Sequence, residues 1–211
     1  LIGTVAGPGG EQIGYANYIA PALLAVSAMN GAVYDSTMNV FFKLNYAKLY
    51  EGMLATSLGP LDVALGEILL ALLRGAMYAT GFTAVMAVMG LVTSPWALLM
   101  IPAAVVVAFG FASFGMAITS YMKTFQQLEW VNFVMLPMFL FSATFYPLSV
   151  YPQAVQWIIQ ALPLWHGVEM LRQISAGAFS LATAGHLLYF VVMIGIGLIV
   201  TTRRLEALFQ K

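Results

Sequence analysis

The chain has 211 residues, of which 62% are hydrophobic and 8% charged, against roughly 25% charged residues in soluble domains. Together with a mean hydropathy of +0.91, this composition predicts an integral membrane protein. A net charge of zero leaves no basic surplus for binding phosphates, which excludes a nucleic-acid partner, and the absence of cysteine excludes disulfides and thiolate metal sites.

The N-terminal part is interpreted as the end of one span followed by a complete one. Residues 1–7 are apolar but far shorter than the roughly 20 residues that cross a bilayer. We therefore expect them to be the tail of a truncated first span. Residues 7–15 predict a glycine-rich turn, and residues 16–42 predict the first complete span.

Polar residues interrupt this first complete span. Asn30, Tyr34 and Met38 recur at a spacing of four, so they share one face of a helix, which we expect to turn inward. In the alternative interpretation, Asp35 and Asn39 simply hydrate near the cytoplasmic headgroups. Both interpretations stay open at this stage.

The next stretch, residues 43–67, is polar. It holds five of the sixteen formally charged side chains, a density that a span does not easily tolerate. Leu49, Met53 and Leu54 fall on one side of a helix and the charged residues lie elsewhere. This pattern predicts a short helix along the membrane surface, with a solvated loop as the alternative.

A Gly59-Pro60 break ends this stretch and turns the chain into the next span. Further spans are predicted over residues 63–92, 96–122, 130–145 and 186–202. Residues 146–177 contain three prolines and two tryptophans, and each of their two helical patterns is too short to cross a bilayer. We expect two half-helices that dip into or lie on the outer leaflet. The prediction is one all-α transmembrane domain over residues 1–211, with six spans of which the first is truncated.

Basic residues predict the orientation, because cytoplasmic loops carry an excess of Lys and Arg. With residues 43–62 as a cytoplasmic loop, Arg172 lies outside, Arg74 lies within a span, and six basic residues lie inside. The inside set is Lys43, Lys48, Lys123, Arg203, Arg204 and Lys211.

Two charged residues fall within the 63–92 span. Glu67 and Arg74 are seven residues apart, about 10.5 Å along one helical face, so they do not pair with each other. They either face a bundle interior or wet cavity, or Glu67 reaches the cytoplasmic surface while Arg74 alone is buried and paired with a neighbouring helix. We favour the second interpretation.

Motifs for catalysis and metal binding are absent from the sequence. There is no GxSxG elbow, no HExxH and no Walker sequence. His166 and His186 have no partnering carboxylate or second histidine at metal-ligand spacing, so we expect them to be interface residues. If ATP drives this protein, another chain must bind it.

Two stretches carry a resemblance to a known family. Residues 27–69 contain the pattern Tyr-Glu-x-Met-Leu-x-Thr-x-Leu, and residues 136–173 contain a Phe-Tyr-Pro segment. Over nearly its whole length the chain resembles the ABC-2 type exporter permeases, closest to those for nodulation factors, drugs and polysaccharides. The resemblance implies six spans, a second permease subunit, and two cytoplasmic ABC ATPases that grip the first intracellular loop. It places ATP and magnesium on the ATPase, with no cofactor or metal on this chain, in the cytoplasmic membrane of a bacterium.

The resemblance and the residue pattern together predict where the chain acts. The ATPase-coupling positions are Lys48, Leu49, Tyr50, Glu51, Met53 and Leu54. An amphipathic substrate (a drug, lipid, glycolipid or polysaccharide) is expected to move outward by alternating access past Asn30, Tyr34, Asn132, Met135 and Phe139. An outer gate is expected at Phe145, Tyr146 and Pro147. The alternative functions are an ion-coupled secondary transporter and, less favoured, a membrane-embedded lipid-modifying enzyme.

Overall fold

The computed structural model describes residues 3–8, 10–92 and 94–209. The described part begins with a hairpin in which strand β1 (Thr4–Ala6) pairs antiparallel with strand β2 (Gln12–Gly14). Gly10, with φ of +82°, permits the reversal because glycine adopts this conformation without steric cost. Part of the segment that we expected to be the tail of a span is therefore strand β1. Its backbone groups pair with those of β2. Leu1 and Ile2 lie outside the described residues.

After the hairpin the described chain is helical. The helices are α1 (Tyr15–Tyr34), α2 (Val40–Asn45), α3 (Leu49–Leu54), α4 (Pro60–Val88), α5 (Met100–Thr119), α6 (Gln126–Phe141), α7 (Gln153–Ala161), α8 (Pro163–Ala176) and α9 (Leu181–Phe209). A π-helical turn, Asp35–Asn39, joins α1 to α2 without a break, and 3₁₀ turns cover Pro95–Leu99 and Leu148–Val150. The predicted all-α architecture is confirmed.

Within the described residues, four helices are long and apolar enough to cross a membrane. They are Tyr15–Asn45, Pro60–Val88, Pro95–Thr119 and Leu181–Leu208, which confirms a polytopic membrane protein. The predicted 130–145 span differs, because α6 has 16 residues, a length of about 24 Å against a hydrocarbon core of about 30 Å.

Helix α5 forms the centre of the bundle and packs against α1, α4, α8 and α9. Glycines allow the closest of these approaches: a Cβ built at Gly197 of α9 would lie 2.6 Å from the carbonyl carbon of Ser113 in α5. Small residues of this kind let helix backbones meet in a membrane, where lipid supplies no hydrophobic drive between helices. Gly110 and Gly197 are thus packing residues.

The two half-helices exist and lie in different surroundings. Helix α7 exposes Trp157 and Ile158 and buries Ile159, as an interfacial helix does. Helix α8 starts at Pro163, a favoured first helical residue. It packs against α1, α5 and α9, with most of its length buried. The second half-helix is therefore part of the bundle core.

Contacts between helix ends define the directions of the helices. Lys43 near the end of α2 pairs with Glu67 near the start of α4, and Arg204 near the end of α9 donates to the Ser120 carbonyl after α5. Phe42 also contacts Phe125 in the loop before α6. Most of the predicted inside basic residues thus gather at one end of the bundle, while Arg172 lies beside Tyr18 at the other. Lys211 lies outside the described residues.

Candidate functional site

The first element of the candidate site is an ion pair between Lys43 and Glu67. The Lys43 ammonium donates to both Glu67 carboxylate oxygens, at 2.8 and 2.7 Å. We expected Glu67 to reach the membrane surface; its side chain is 12% exposed and is paired with Lys43. The pair links the C-terminal part of α2 to the second turn of α4.

A second ion pair joins α4 to the π-helical turn that precedes α2, at a position further along α4 than Glu67. Arg74 Nη1 donates to Asp35 Oδ1 at 2.5 Å, and Asn39 Nδ2 donates to the same oxygen at 2.8 Å. The expected pairing of Arg74 with a neighbouring helix is found, but its expected burial is wrong. The Arg74 side chain is 45% exposed and its Asp35 partner 10%.

This second pair lies well inside the membrane-crossing length of α4. Arg74 comes fourteen residues after Pro60, about 21 Å along the helix axis. A charged side chain facing lipid at such depth costs about 3 kcal/mol or more. Polar neighbours, Ser27 and Tyr78, line the same cleft between α1 and α4. This face of the bundle is therefore suited to water or to another polar surface.

Four of the five predicted pathway residues come together in one groove. Asn30 and Tyr34 of α1 face Asn132 and Met135 of α6 across a space of about 310 Å³. Its remaining lining comes from Val33, Thr37, Met38 and Leu128. The groove combines two amides and a phenol with aliphatic and thioether walls, a composition that accepts an amphipathic molecule.

The fifth predicted pathway residue, Phe139, lies in the last turn of α6 instead. Its ring meets Phe145 edge to face, with the ring centroids 5.1 Å apart. The Tyr15 hydroxyl donates to the Phe145 carbonyl at 3.2 Å, and Tyr146 is exposed. Phe139 and Phe145 thus pack together at the C-terminal end of α6, next to Pro147.

A buried arginine holds this outer segment, and the sequence analysis missed its role. Arg172 of α8 donates from Nε to the Tyr18 carbonyl at 3.2 Å and from Nη2 to the Thr144 carbonyl at 2.9 Å. Burial lowers the pKa of Arg172. Arginine side chains nevertheless stay cations in proteins. The available signal in the sequence was a lone basic residue within an apolar half-helix.

The two histidines contact each other, although they do not stand at metal-ligand spacing in the sequence. Nδ1 of His166 lies 2.8 Å from Nδ1 of His186, and the His166 ring stacks on Tyr189. Burial lowers the pKa of His166. The sequence analysis missed this pair because it joins α8 to α9 across twenty residues. In the described ranges, no group of three His, Asp or Glu side chains is placed to hold a metal ion.

The predicted surface helix exists as α3, but it is six residues long. Leu49 is 41% exposed, and Lys48 and Glu51 are exposed with it. Met53 and Leu54 are partly buried against the bundle, and Tyr50 is fully buried. Gly59 and Pro60 then start α4 as predicted, with the Asp62 carboxylate accepting from the Gly59 amide at 2.8 Å.

These features fit one family of membrane proteins. The family model described as ABC-2 type transporter matches residues 1–176. The chain belongs to this family. The predicted resemblance to ABC-2 permeases is thus confirmed, and the chain is a multi-pass membrane protein.

Proteins similar to this ABC-2 transporter chain include three that are called Nodulation protein J. The one from Rhizobium leguminosarum bv. viciae is 27% identical over 79% of the chain and 65% of its own length. Those from Sinorhizobium fredii and Rhizobium meliloti are 28% and 24% identical, over 77% and 80% of the chain and 62% and 64% of their own lengths. The chain thus spans slightly less than two thirds of these relatives. No solved structure matches it significantly.

Proposed function

We propose that this chain is the permease subunit of an ATP-driven exporter in the cytoplasmic membrane of a bacterium. The proposal joins membership of the ABC-2 family to a polar surface inside the membrane-crossing region. The chain moves substrate without covalent chemistry, and a partner ATPase binds ATP and magnesium.

The observation that carries the proposal is the polar face of α1. Ser27, Asn30 and Tyr34 are exposed on this face, flanked by Arg74 of α4 on one side and by Asn132 of α6 on the other. Exposing a polar stripe of this length to the hydrocarbon of the bilayer costs free energy. It serves instead as one wall of a water-containing pathway for an amphipathic substrate, which alternately opens to each side.

A second copy of a permease subunit supplies the opposite wall. Helix α6 packs loosely on the bundle and exposes large apolar side chains, namely Trp130, Phe133, Val134 and Leu136. These flank the groove on the side away from α1. Two such surfaces brought together bury apolar area and enclose the polar stripes between them.

The ATPase contacts the cytoplasmic loop at α3. Leu49 offers an exposed apolar side chain, and Lys48 and Glu51 beside it offer charges of both signs. Apolar anchors in a groove contribute most of the affinity of such contacts, and rim charges contribute orientation.

The deciding experiment uses the full-length protein, affinity-tagged and purified from its native membrane in mild detergent. We expect an ABC ATPase to copurify, and the reconstituted complex to move an NBD-labelled phospholipid to the outer leaflet when ATP is added. The chain alone, in the same vesicles, should hydrolyse no ATP above the empty-vesicle control. A purified chain that hydrolyses ATP, or a complex without an ATPase, contradicts the proposal.

One observation favours the second candidate function, an ion-coupled secondary transporter. Such a protein needs a carboxylate inside the membrane, and Asp35 provides one that is 10% exposed. Asp35 is already bound by Arg74 and Asn39, which makes it a weak ion site. Movement of the labelled lipid that follows an imposed proton gradient without ATP, and that is lost in Asp35→Asn, would support this candidate.

A further inference from the structure

The cleft between α1 and α4 presents hydrogen-bond donors. Arg74 and Tyr78 lie one turn apart on α4, and Ser27 of α1 lines the same cleft. All three residues are exposed. A guanidinium only donates hydrogen bonds, and a phenol or an aliphatic hydroxyl can donate one as well. The cleft therefore offers N–H and O–H groups to a ligand that accepts hydrogen bonds.

The two charges in this cleft differ in their exposure. Among the described residues that line it, Arg74 is the only cation and Asp35 the only carboxylate. The Arg74 side chain is 45% exposed, whereas the Asp35 side chain is 10% exposed. One Asp35 oxygen accepts hydrogen bonds both from Arg74 and from the amide of Asn39. A ligand that enters the cleft therefore meets the guanidinium first, while the carboxylate is mostly covered.

Most of the donors of Arg74 are free. A guanidinium carries five N–H groups, and within the described part of the chain only Nη1 of Arg74 donates a hydrogen bond, to Asp35. Nε and Nη2 are left for another acceptor. The fork of an arginine matches two oxygens of a phosphate group and binds them in a bidentate manner. Because Asn39 also holds Asp35, the carboxylate keeps a partner when Arg74 turns towards such a ligand.

The surroundings of Arg74 suit a ligand with an apolar part. A Cβ built at Gly31, on the α1 side of the cleft, meets no atom within 4 Å, so there is open space beside the helix at this point. On α4, Leu70 and Met77 lie one turn to either side of Arg74, and both are exposed. A donor-lined cleft next to exposed apolar side chains fits a charged head group that carries an acyl chain.

We propose that Arg74 binds the anionic phosphate group of an amphipathic substrate in the cleft between α1 and α4. This inference rests on the proposed function and names the class of its substrate. Ser27 and Tyr78 supply further donors to the same group. Pairing with the ligand offsets the free-energy cost of a half-exposed guanidinium at membrane depth. When the ligand leaves, Asp35 remains as the resident partner of Arg74.

The first test measures binding by the full-length protein in mild detergent. Fluorescence anisotropy follows two NBD-labelled lipids, the anionic phosphatidylglycerol and the zwitterionic phosphatidylcholine. We expect phosphatidylglycerol to bind about tenfold more tightly, the factor that one hydrogen bond to a charged group supplies. Inorganic phosphate at the same concentration should not displace the lipid, because it lacks the acyl chains. Displacement by inorganic phosphate would show a site for the free anion and overturn the assignment to an amphipathic substrate.

Charge variants separate ligand binding from a structural ion pair. Asp35→Asn frees the guanidinium, so the preference for phosphatidylglycerol should persist or increase. The double variant Arg74→Gln with Asp35→Asn removes both charges and leaves no carboxylate without its cation, so it should fold and bind the two lipids equally. An ion pair that only stabilises the bundle predicts the wild-type preference in the double variant, and that result overturns the inference.

A steric variant tests the location of the ligand. Gly31→Leu fills the open space in the cleft and removes no charge, so it should lower the affinity for phosphatidylglycerol to that for phosphatidylcholine. The matched control is Gly81→Leu on α4, where an added Cβ also meets no other atom. Both variants should keep the unfolding midpoint of wild type, and the control should keep the lipid preference. An unchanged preference in Gly31→Leu would contradict binding in this cleft.

The outcomes distinguish this inference from the proposed function. Equal binding of the two lipids, by a complex that still moves labelled lipid with ATP, refutes the anion site and leaves the exporter intact. Binding of phosphatidylglycerol that depends on Arg74, in a complex that moves no lipid with ATP, supports the site and refutes the exporter.

Discussion

The guanidinium carbon of Arg172 lies 3.6 Å from the centre of the Tyr18 ring, while its Nε donates to the Tyr18 backbone carbonyl. The Arg172 side chain of α8 thus contacts both the ring and the backbone carbonyl of Tyr18 in α1. It also reaches the Thr144 carbonyl in the segment after α6. This end of the bundle is organised around the buried guanidinium.

Arg172→Met should therefore destabilise the protein. The substitution keeps much of the side-chain volume but leaves the Thr144 carbonyl without its donor, and a buried unsatisfied group costs about 1–3 kcal/mol. Thermal unfolding of the detergent-solubilised protein should show a midpoint lowered by several degrees. Arg203→Met, at an exposed position of α9, is the control and should stay within about 0.5 kcal/mol of wild type. Equal midpoints for the two variants would contradict the role of Arg172.

Gly197→Val should separate α9 from α5. The added side chain meets the backbone of Ser113, which cannot move aside as a flexible side chain would. Overpacking of this kind costs about 1–3 kcal/mol. Gly195→Ala is the matched control, since a Cβ there meets no other atom. Unfolding midpoints of the two variants give the comparison, and a stable Gly197→Val protein would disprove the close approach.

Stability should fall as the pH drops below about 6.5, the ordinary pKa of histidine. Burial lowers the pKa of His166 in the folded state, so the unfolded chain binds a proton at a higher pH than the folded chain does. The stabilisation is fully present above the unfolded pKa and is lost as pH falls towards the folded one. Unfolding midpoints measured from pH 7.5 to 5 should decrease, and His166→Gln should flatten this part of the profile. A wild-type profile as flat as that of the variant would refute the assignment.

Phe145→Ala should open the outer end of the pathway. It removes the ring that packs on Phe139 and leaves the backbone contact from Tyr15 in place. We expect a raised leak of a small dye from proteoliposomes, with unchanged ATPase association. Leu148→Ala, on the same outer segment, serves as the control. Loss of assembly in Phe145→Ala would identify the residue as scaffold.

Leu49→Asp should abolish association with the ATPase. The structure selects this position over Met53 and Leu54, because those two pack partly against the bundle and an added charge there would also disturb folding. A charge at exposed Leu49 enters the apolar contact and leaves membrane insertion unaffected. Gln12→Asp, in the hairpin at the opposite end, should leave copurification of the ATPase unchanged. Normal copurification of the ATPase with the Leu49→Asp protein would show that α3 only connects α2 to α4.

Much of the architecture could be predicted from the sequence because it depends on local composition. Long apolar runs predicted the crossing helices, and Gly59-Pro60 predicted the start of α4. The prolines of residues 146–177 predicted two short helices. The grouping of Asn30 and Tyr34 followed from helical spacing alone. Their meeting with Asn132 and Met135 was predicted as a shared pathway and is found as one groove.

The pairings between distant residues required the tertiary structure. The apolar surroundings of Glu67 and Arg74 indicated that these residues are unusual, but spacing along the chain cannot say which helices lie side by side. Packing around α5 brings Lys43 to Glu67, Asp35 to Arg74 and His166 to His186. Burial of an ionisable group is tolerated only where a partner is supplied, and that partner comes from another helix. The sequence by itself determined that this chain crosses a membrane as helices, and the three-dimensional packing decided which of its few polar groups are joined.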